Sequence, residues 1–410
     1  MIIDKINWQI KYLKANSKFY KSTLAATDSI KTISDYKQLP FTTKEDLSNY
    51  NNQFLSVKES EIRDFLTTSG TTGEPISFYL TNNDLKRLGI NERNSFSLCG
   101  IIPGDKILLT TTLDKCFVAG LAYYLGAQEM GVGIIRVGPG NLKYQWDMIK
   151  RFLPEVIIAV PSFLLKMIKF AKENNINLRT CSLKKAICIG EPIRQADFQL
   201  NSLGKEITSS LDIQLFSTYA STEMMTAFTE CSEGKGGHLQ EDLLYVEVLD
   251  ENENEVKEGE SGEVVITTFG VEGMPLLRYR TGDICNVYRE ECSCGRSSLR
   301  LGPVLGRKNH RLKIKGTTTY PNAMIEAIYS FGEIDDFLIE VSFDQYGSDK
   351  LCLFVARQSN KDFSLKELKD FLKSKLLFTP DVRIVDSRII EEKITSGVNR
   401  KKIRFVDNRK

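Results

Sequence analysis

The sequence predicts an α/β protein. A large N-terminal domain over residues 1–307 is built on mostly parallel sheets with a small β-barrel-like subdomain, and a small α+β domain follows over residues 308–410. Three observations carry this. Between about residues 80 and 220, short β-branched runs alternate with amphipathic stretches of helical length. From 243 to 288 short strands follow one another across acidic or glycine-containing turns, and after Gly306 the pattern becomes helix, strand, strand, helix, strand.

In the first region the strand candidates are residues 106–112, 133–137, 156–160, 186–189 and 213–219, and intervening segments such as 117–130 and 162–174 carry helical periodicity. Short apolar strands separated by helices belong to a parallel sheet covered on both faces. In the second region, 243–250, 262–269 and 284–288 suit a small antiparallel sheet or barrel. In the third, a helix at 322–330, strands at 337–343 and 351–356, a helix at 365–375 and a strand at 382–386 form a module of ordinary domain size.

Composition narrows the function classes. The 410 residues are 41% hydrophobic and 26% charged, an ordinary soluble globular balance and too long for one small core. A formal net charge of +2 gives no global field to gather nucleic acid, and basic residues concentrate only in the last twenty positions. The N-terminus soon becomes charged and amphipathic with no signal-peptide core, and the longest apolar run, 156–165, is short of a membrane span and contains Pro161 and Ser162. A cytoplasmic location without a membrane partner is the expectation. Nine cysteines, an odd number, read as reduced thiols or metal ligands rather than a disulfide framework. With only His238 and His310, histidine-rich metal sites are excluded, and no Gly-x-Ser-x-Gly elbow accompanies either.

Residues 67–75 read Thr-Thr-Ser-Gly-Thr-Thr-Gly-Glu-Pro. Hydroxyls and glycines at that density build a loop whose backbone N–H and side-chain O–H groups can close around phosphate oxygens. The run has neither P-loop nor dinucleotide-fold spacing, and a surface turn is its plainer reading in isolation. Three motifs follow in order. Tyr219-Ala220-Ser221-Thr222-Glu223 ends a predicted strand, where α/β sheets bind ligands. Tyr279-Arg280-Thr281-Gly282-Asp283 offers a carboxylate suited to the two hydroxyls of a ribose, and Gly306-Arg307 with Lys315-Gly316 and Tyr320-Pro321 marks the expected domain junction.

Together with Gly190-Glu191-Pro192 and the stretch from Gly273 to Asp283, this set resembles the adenylate-forming enzymes (acyl- and aryl-CoA synthetases, adenylation domains, luciferases), and among them the phenylacetate–CoA ligase-like branch, over nearly the whole chain. The resemblance implies that Thr68, Ser69, Gly70, Thr71, Thr72 and Gly73 hold the ATP β- and γ-phosphates, with Thr68 and Glu223 in the catalytic set and Glu223 holding Mg²⁺. It places Gly190, Glu191 and Pro192 along the adenine, with Tyr219, Ala220, Ser221 and Thr222 nearby, and Asp283 and Arg307 at the ribose. The implied chemistry is attack of a carboxylate on the α-phosphorus of ATP, giving an acyl-adenylate and pyrophosphate. A thiol, usually coenzyme A in this branch, then displaces AMP, with the small domain moving between the two steps.

The chain departs from the family's pattern at two places. The lysine expected after Thr395-Ser396-Gly397 is Val398, which leaves Lys401 or Lys402, and behind them Lys393, as replacements; Asn309 and His310 stand where paired hinge aspartates are expected. Cys231 and His238, with Cys292-Ser293-Cys294-Gly295, offer three sulfurs and one imidazole, a complete tetrahedral zinc set that resembles the zinc site of some members of the branch. The alternatives are buried thiols beside a surface histidine, or an acid or Cys285 replacing one member. The family's acyl-pocket segments here offer Phe117, Tyr123, Phe163 and Met224 for an aromatic or medium acyl group, although such side chains are as readily core. The leading reading is an ATP-dependent aryl- or acyl-CoA ligase. Its rivals pass the acyl group to a carrier-protein thiol or an amine, or bind nucleotide or acyl-AMP with an adenylation step impaired by Val398. A homodimer is compatible with these residues, which do not define the oligomeric state.

Overall fold

A computed structural model describes residues 2–68, 76–314, 317–344, 349–357, 362–394 and 404–409, and the chain divides into two compact units, 1–304 and 305–410. The phosphate-loop residues Ser69 to Gly73, the Lys315-Gly316 pair, Thr395 to Val398, Lys401 and Lys402 lie outside the described residues.

In the first unit, five parallel strands pair in the order Gly133–Arg136, Lys106–Leu109, Val156–Ala159, Lys185–Ile189 and Gln214–Ser221. Alternation along the strands divides their side chains between two cores. Ile157, Ala159, Ala186 and Cys188 face one, with Trp146, Leu164 and Ile207; Val156, Ile158, Ile187 and Ile189 face the other, with Phe96 and Tyr123. Both faces are therefore apolar, which is why these strands read as unbroken hydrophobic runs. Connecting helices such as Val118–Met130 and Pro161–Glu173 start at the carboxyl ends of the strands they follow.

Beyond Gln214–Ser221 the hydrogen-bonded path turns antiparallel through Thr226–Glu230, Gly237–His238, Arg300–Leu301, Tyr279–Tyr288, Ser261–Thr268 and Leu244–Leu249. The strand expected at 284–288 begins earlier, at Tyr279. Its polar first half is accommodated because Arg280 reaches across the ladder to Glu263, at 2.6 Å. A hairpin of Asp64–Thr67 and Ser77–Leu80 brackets the phosphate-loop segment, with Thr67 opposite Ser77.

The second unit carries a sheet in the order Asp381–Ile384, Asp349–Arg357, Ile334–Phe343 and Phe405–Asp407, antiparallel at its centre and parallel at both edges. Helices Pro321–Phe331 and Leu365–Leu376 pack one face through Met324, Ile328, Leu368 and Leu372, and Ile390 of helix Ser387–Ile394 packs the other against Leu338 and Phe354. Among the described residues, no helix is long and apolar enough to cross a membrane.

Candidate active site and metal centre

The carboxyl edge of the parallel strands gathers most of the described motif residues. Gly190 follows Lys185–Ile189 with φ +76°, a left-handed conformation that suits glycine, and turns the chain into Glu191 and Pro192. The Glu191 carboxylate accepts from the Ser162 backbone N–H and the Ser162 hydroxyl, both at 2.9 Å. Helix Pro161–Glu173 has no side-chain cap of its own at Val160, so a carboxylate from the loop after the next strand satisfies one of its orphan donors and sits at its positive end. Glu191 therefore fixes the loop it stands in.

Glu223 stands in the tight turn between Gln214–Ser221 and Thr226–Glu230, where Ser221 pairs with Thr226. Three contacts hold the turn: Met224 N–H donates to Ser221 Oγ at 3.2 Å, Met225 N–H to the Ser221 carbonyl at 3.3 Å, and Arg87 Nη1 to the Met225 carbonyl at 2.5 Å. The buried Arg87 guanidinium also donates to the Phe269 and Leu243 carbonyls and to Thr226 Oγ1, and its burial lowers its pKa to about 10. Half-buried Glu223 has no hydrogen-bond or ion-pair partner among the described residues, so its carboxylate is uncommitted.

Tyr219 and Asp283, expected at adenine and ribose, meet directly. The Tyr219 hydroxyl donates to Asp283 Oδ2 at 2.8 Å, and its ring stacks on Phe228 with centroids 5.8 Å apart. Burial, reinforced by the Asp283 charge, pushes the phenol well above its usual range, so it remains a donor. Gly282, at φ +75°, leads into Asp283, which is 7% exposed. Arg280 of the same motif is held by Glu263 and Glu253, and Arg278 by a two-pronged pair with Glu247, so the two guanidinium groups brace the sheet. Gly273 opens that motif, where a Cβ would lie 2.0 Å from the Tyr79 carbonyl.

Thr68 closes the base of the phosphate loop: its N–H donates to the Ile76 carbonyl at 2.9 Å, and its Oγ1 accepts from Ile76 N–H at 3.2 Å. Of the pocket candidates, Phe117 and Phe163 are half-buried, whereas Tyr123 and Met224, 4% and 0% exposed, are packed in the apolar cores. Arg307 is exposed and belongs to the second unit. Lys393 donates to Glu340 at 2.7 Å and lies 4.6 Å from the centre of the Phe354 ring, tied to its own sheet. Arg87, Asn91 and Glu92 carry no sequence signal, because polar residues on a helix read as a solvated face until their partners are seen.

The ligand atoms of Cys231, His238, Cys292 and Cys294 all lie within 4.8 Å of one another. Cys231 Sγ is 3.8 Å from Cys292 Sγ, and Cys294 Sγ is 3.6 Å from His238 Nε2. A tetrahedral zinc with bonds of about 2.0–2.3 Å needs ligand separations of roughly 3.6–3.8 Å, which these two distances match, and three sulfurs with one imidazole are a donor set that suits this ion. His238 Nδ1 lies 3.0 Å from Ser298 Oγ, which leaves Nε2 toward the thiols, and burial lowers the imidazole pKa to about 4.

Residues 12–273 match the AMP-binding enzyme family, and the chain belongs to that family. Within it the chain is similar to phenylacetate–coenzyme A ligases. It is 30% identical to the one from Thermus thermophilus over 81% of this chain and 75% of the relative, and 27% identical to the one from Aromatoleum evansii over 99% and 93%. It shares its fold with 2-hydroxyisobutyryl-CoA ligase in the postadenylation state, with a TM-score of 0.85 at 21% identity over 99% of this chain and 89% of that one. The protein is thus an adenylate-forming ligase.

Proposed function

We propose that this ligase activates an aryl or medium acyl carboxylate with ATP and transfers the acyl group to coenzyme A. The observation that carries this is the uncommitted Glu223 carboxylate, held on an Arg87-braced turn at the strand edge that also presents the Tyr219–Asp283 pair. Glu223 would hold Mg²⁺, which offsets charge on the departing pyrophosphate. Tyr219 and Asp283 orient the nucleoside, while the phosphate loop based at Thr68 would hold the triphosphate. Arg307 is assigned to the same ribose, and Lys401 or Lys402 to the charge developing at the α-phosphate in place of Val398. The Cys231, His238, Cys292 and Cys294 set would hold one structural zinc, which ties three strand ends together. A cytoplasmic location belongs to the same reading.

Pyrophosphate release with a panel of carboxylic acids, with and without coenzyme A, tests the proposal. Acid-dependent release together with a coenzyme A thioester is the expected result. Release without a thioester would instead favour a carrier protein or an amine as acceptor.

A further inference from the structure

The segment that begins at Gly190-Glu191-Pro192 is fastened at both ends. Glu191 ties its start to helix Pro161–Glu173. Three residues on, Arg194 ties it to the antiparallel strands, its Nε donating to both carboxylate oxygens of Glu230 at 2.9 Å. Between the two, Ile193 is fully buried and its carbonyl accepts from Asn201 N–H at 2.9 Å. The loop therefore has little slack.

The Arg194–Glu230 pair is largely out of water, with side-chain exposures of 15% and 2%, and it does more than neutralise charge. Arg194 Nη1 donates to the Phe198 carbonyl at 3.1 Å and Nη2 to the Leu215 carbonyl at 3.4 Å, while Glu230 Oε2 accepts from the Ser217 backbone N–H at 2.9 Å. Leu215 and Ser217 belong to strand Gln214–Ser221, which carries Tyr219, and Glu230 ends strand Thr226–Glu230, which starts just past the Glu223 turn. One ion pair thus spaces the three segments that carry Glu191 and Pro192, Tyr219, and Glu223. A planar fork of donors can hold a carboxylate and two carbonyls at once, which a compact ammonium cannot. Gly234 closes the far side of the fork: at φ +61° it leaves room for the guanidinium, and a Cβ there would lie 2.3 Å from Arg194 Nη2.

We infer that Arg194 is a positioning residue that sets the spacing between the two walls of the adenine site, and through that spacing the preference for adenine over other bases. It acts through the loop it holds. The inference rests on the ligase reading above and on its assignment of Glu191, Pro192 and Tyr219 to the adenine. A wall displaced by a fraction of an ångström loses the base contacts while leaving the phosphate and acyl contacts in place.

The test measures kcat and KM for pyrophosphate release with ATP and with GTP, at a saturating acid from the panel above, in the parent, Arg194→Lys, Arg194→Met and Gly234→Ala. The parent is expected to favour ATP over GTP in kcat/KM by about tenfold or more. Arg194→Lys keeps the charge beside Glu230, so the fold is retained. Its KM for ATP should rise about fivefold or more and the ATP-to-GTP ratio should fall by a similar factor, with KM for the acid within about twofold of the parent. Gly234→Ala crowds the guanidinium without removing it and should move the same two quantities in the same direction. A merely structural role would shrink the active fraction, lowering kcat for both nucleotides and leaving KM and the ratio alone. KM and ratio within about twofold of the parent in Arg194→Lys and Gly234→Ala, or a parent indifferent to the base, overturns the inference while the ligase reading stands. If no acid elicits pyrophosphate release from the parent, the ligase reading fails and the inference falls with it.

Discussion

Among the acids of the site motifs, Glu191 caps a helix and Asp283 accepts from Tyr219, while Glu223 has no hydrogen-bond or ion-pair partner among the described residues. Glu223→Gln is therefore expected to reduce ATP–pyrophosphate exchange by about a hundredfold or more, the scale set by losing one charge-stabilising group, with the melting temperature unchanged. Exchange at the parent rate would remove Glu223 from the chemistry. Glu92 gives a residue-scale prediction of a different kind. Its pKa is raised from 4.5 to about 8 on folding, so between those values the native state binds more protons than the unfolded chain. Stability should then fall as pH rises through that window, by up to about 1.4 kcal/mol per pH unit from this one group. Tyr123 and Cys99, which sense Glu92, are themselves pushed upward and stay neutral there. Denaturant unfolding at pH 5.5 and 7.5 should show a smaller pH dependence for Glu92→Gln than for the parent, and equal slopes would mean that Glu92 ionises freely in the folded protein.

At the scale of elements, the turn that carries Glu223 depends on Arg87, which belongs to a helix 138 residues earlier in the chain. Arg87→Met takes the guanidinium donor from the Phe269 and Met225 carbonyls, while the Leu243 carbonyl keeps the Phe269 N–H, and should lower both stability and nucleotide turnover, with urea unfolding and pyrophosphate release as the measurements. This dependence was not legible in the sequence. Helix Asn82–Leu98 is polar along its length, yet buries Asp84, Arg87, Asn91, Glu92 and Ser95, and only contacts far along the chain distinguish that from a solvated face. The cap that Glu191 gives to Ser162 was hidden for the same reason, since its partners come from different strand ends. The parallel strands were legible because burial on both faces leaves their apolar runs unbroken, and the cysteine cluster because its three thiols stand in turn segments and its histidine in a two-residue strand, all in residue types that bind metal. That cluster yields its own prediction. Freshly purified protein that has not met a chelator should carry about one zinc per chain, and Cys292→Ser should lose the metal and melt lower, because a structural zinc contributes folding free energy directly. Metal analysis without zinc would return the four side chains to ordinary core and surface roles.

At the scale of the whole molecule, residues 305–410 have a sheet and two apolar clusters of their own, so that unit should unfold cooperatively when expressed alone. The first unit, 1–304, contains Glu223, Tyr219 and Asp283 and should still bind ATP, but it lacks every cation of the tail. Adenylation joins a carboxylate to a triphosphate, two anions, and one cation near the α-phosphate stabilises the charge that develops there. Lys393 is held by Glu340 and Phe354, and Val398 cannot serve, so the group is expected to be Lys401 or Lys402. Replacing both by Ala should slow pyrophosphate release by about a hundredfold while thioester formation from supplied acyl-adenylate stays within about twofold, because a group needed only in the first transition state leaves the second unaffected. If the double mutant adenylates at the parent rate, no lysine of this tail acts in the first step. Val398→Lys then decides between the remaining accounts: a gain in adenylation means that the chain has lost a catalytic cation, and no gain means that the first unit supplies all the charge stabilisation the reaction receives.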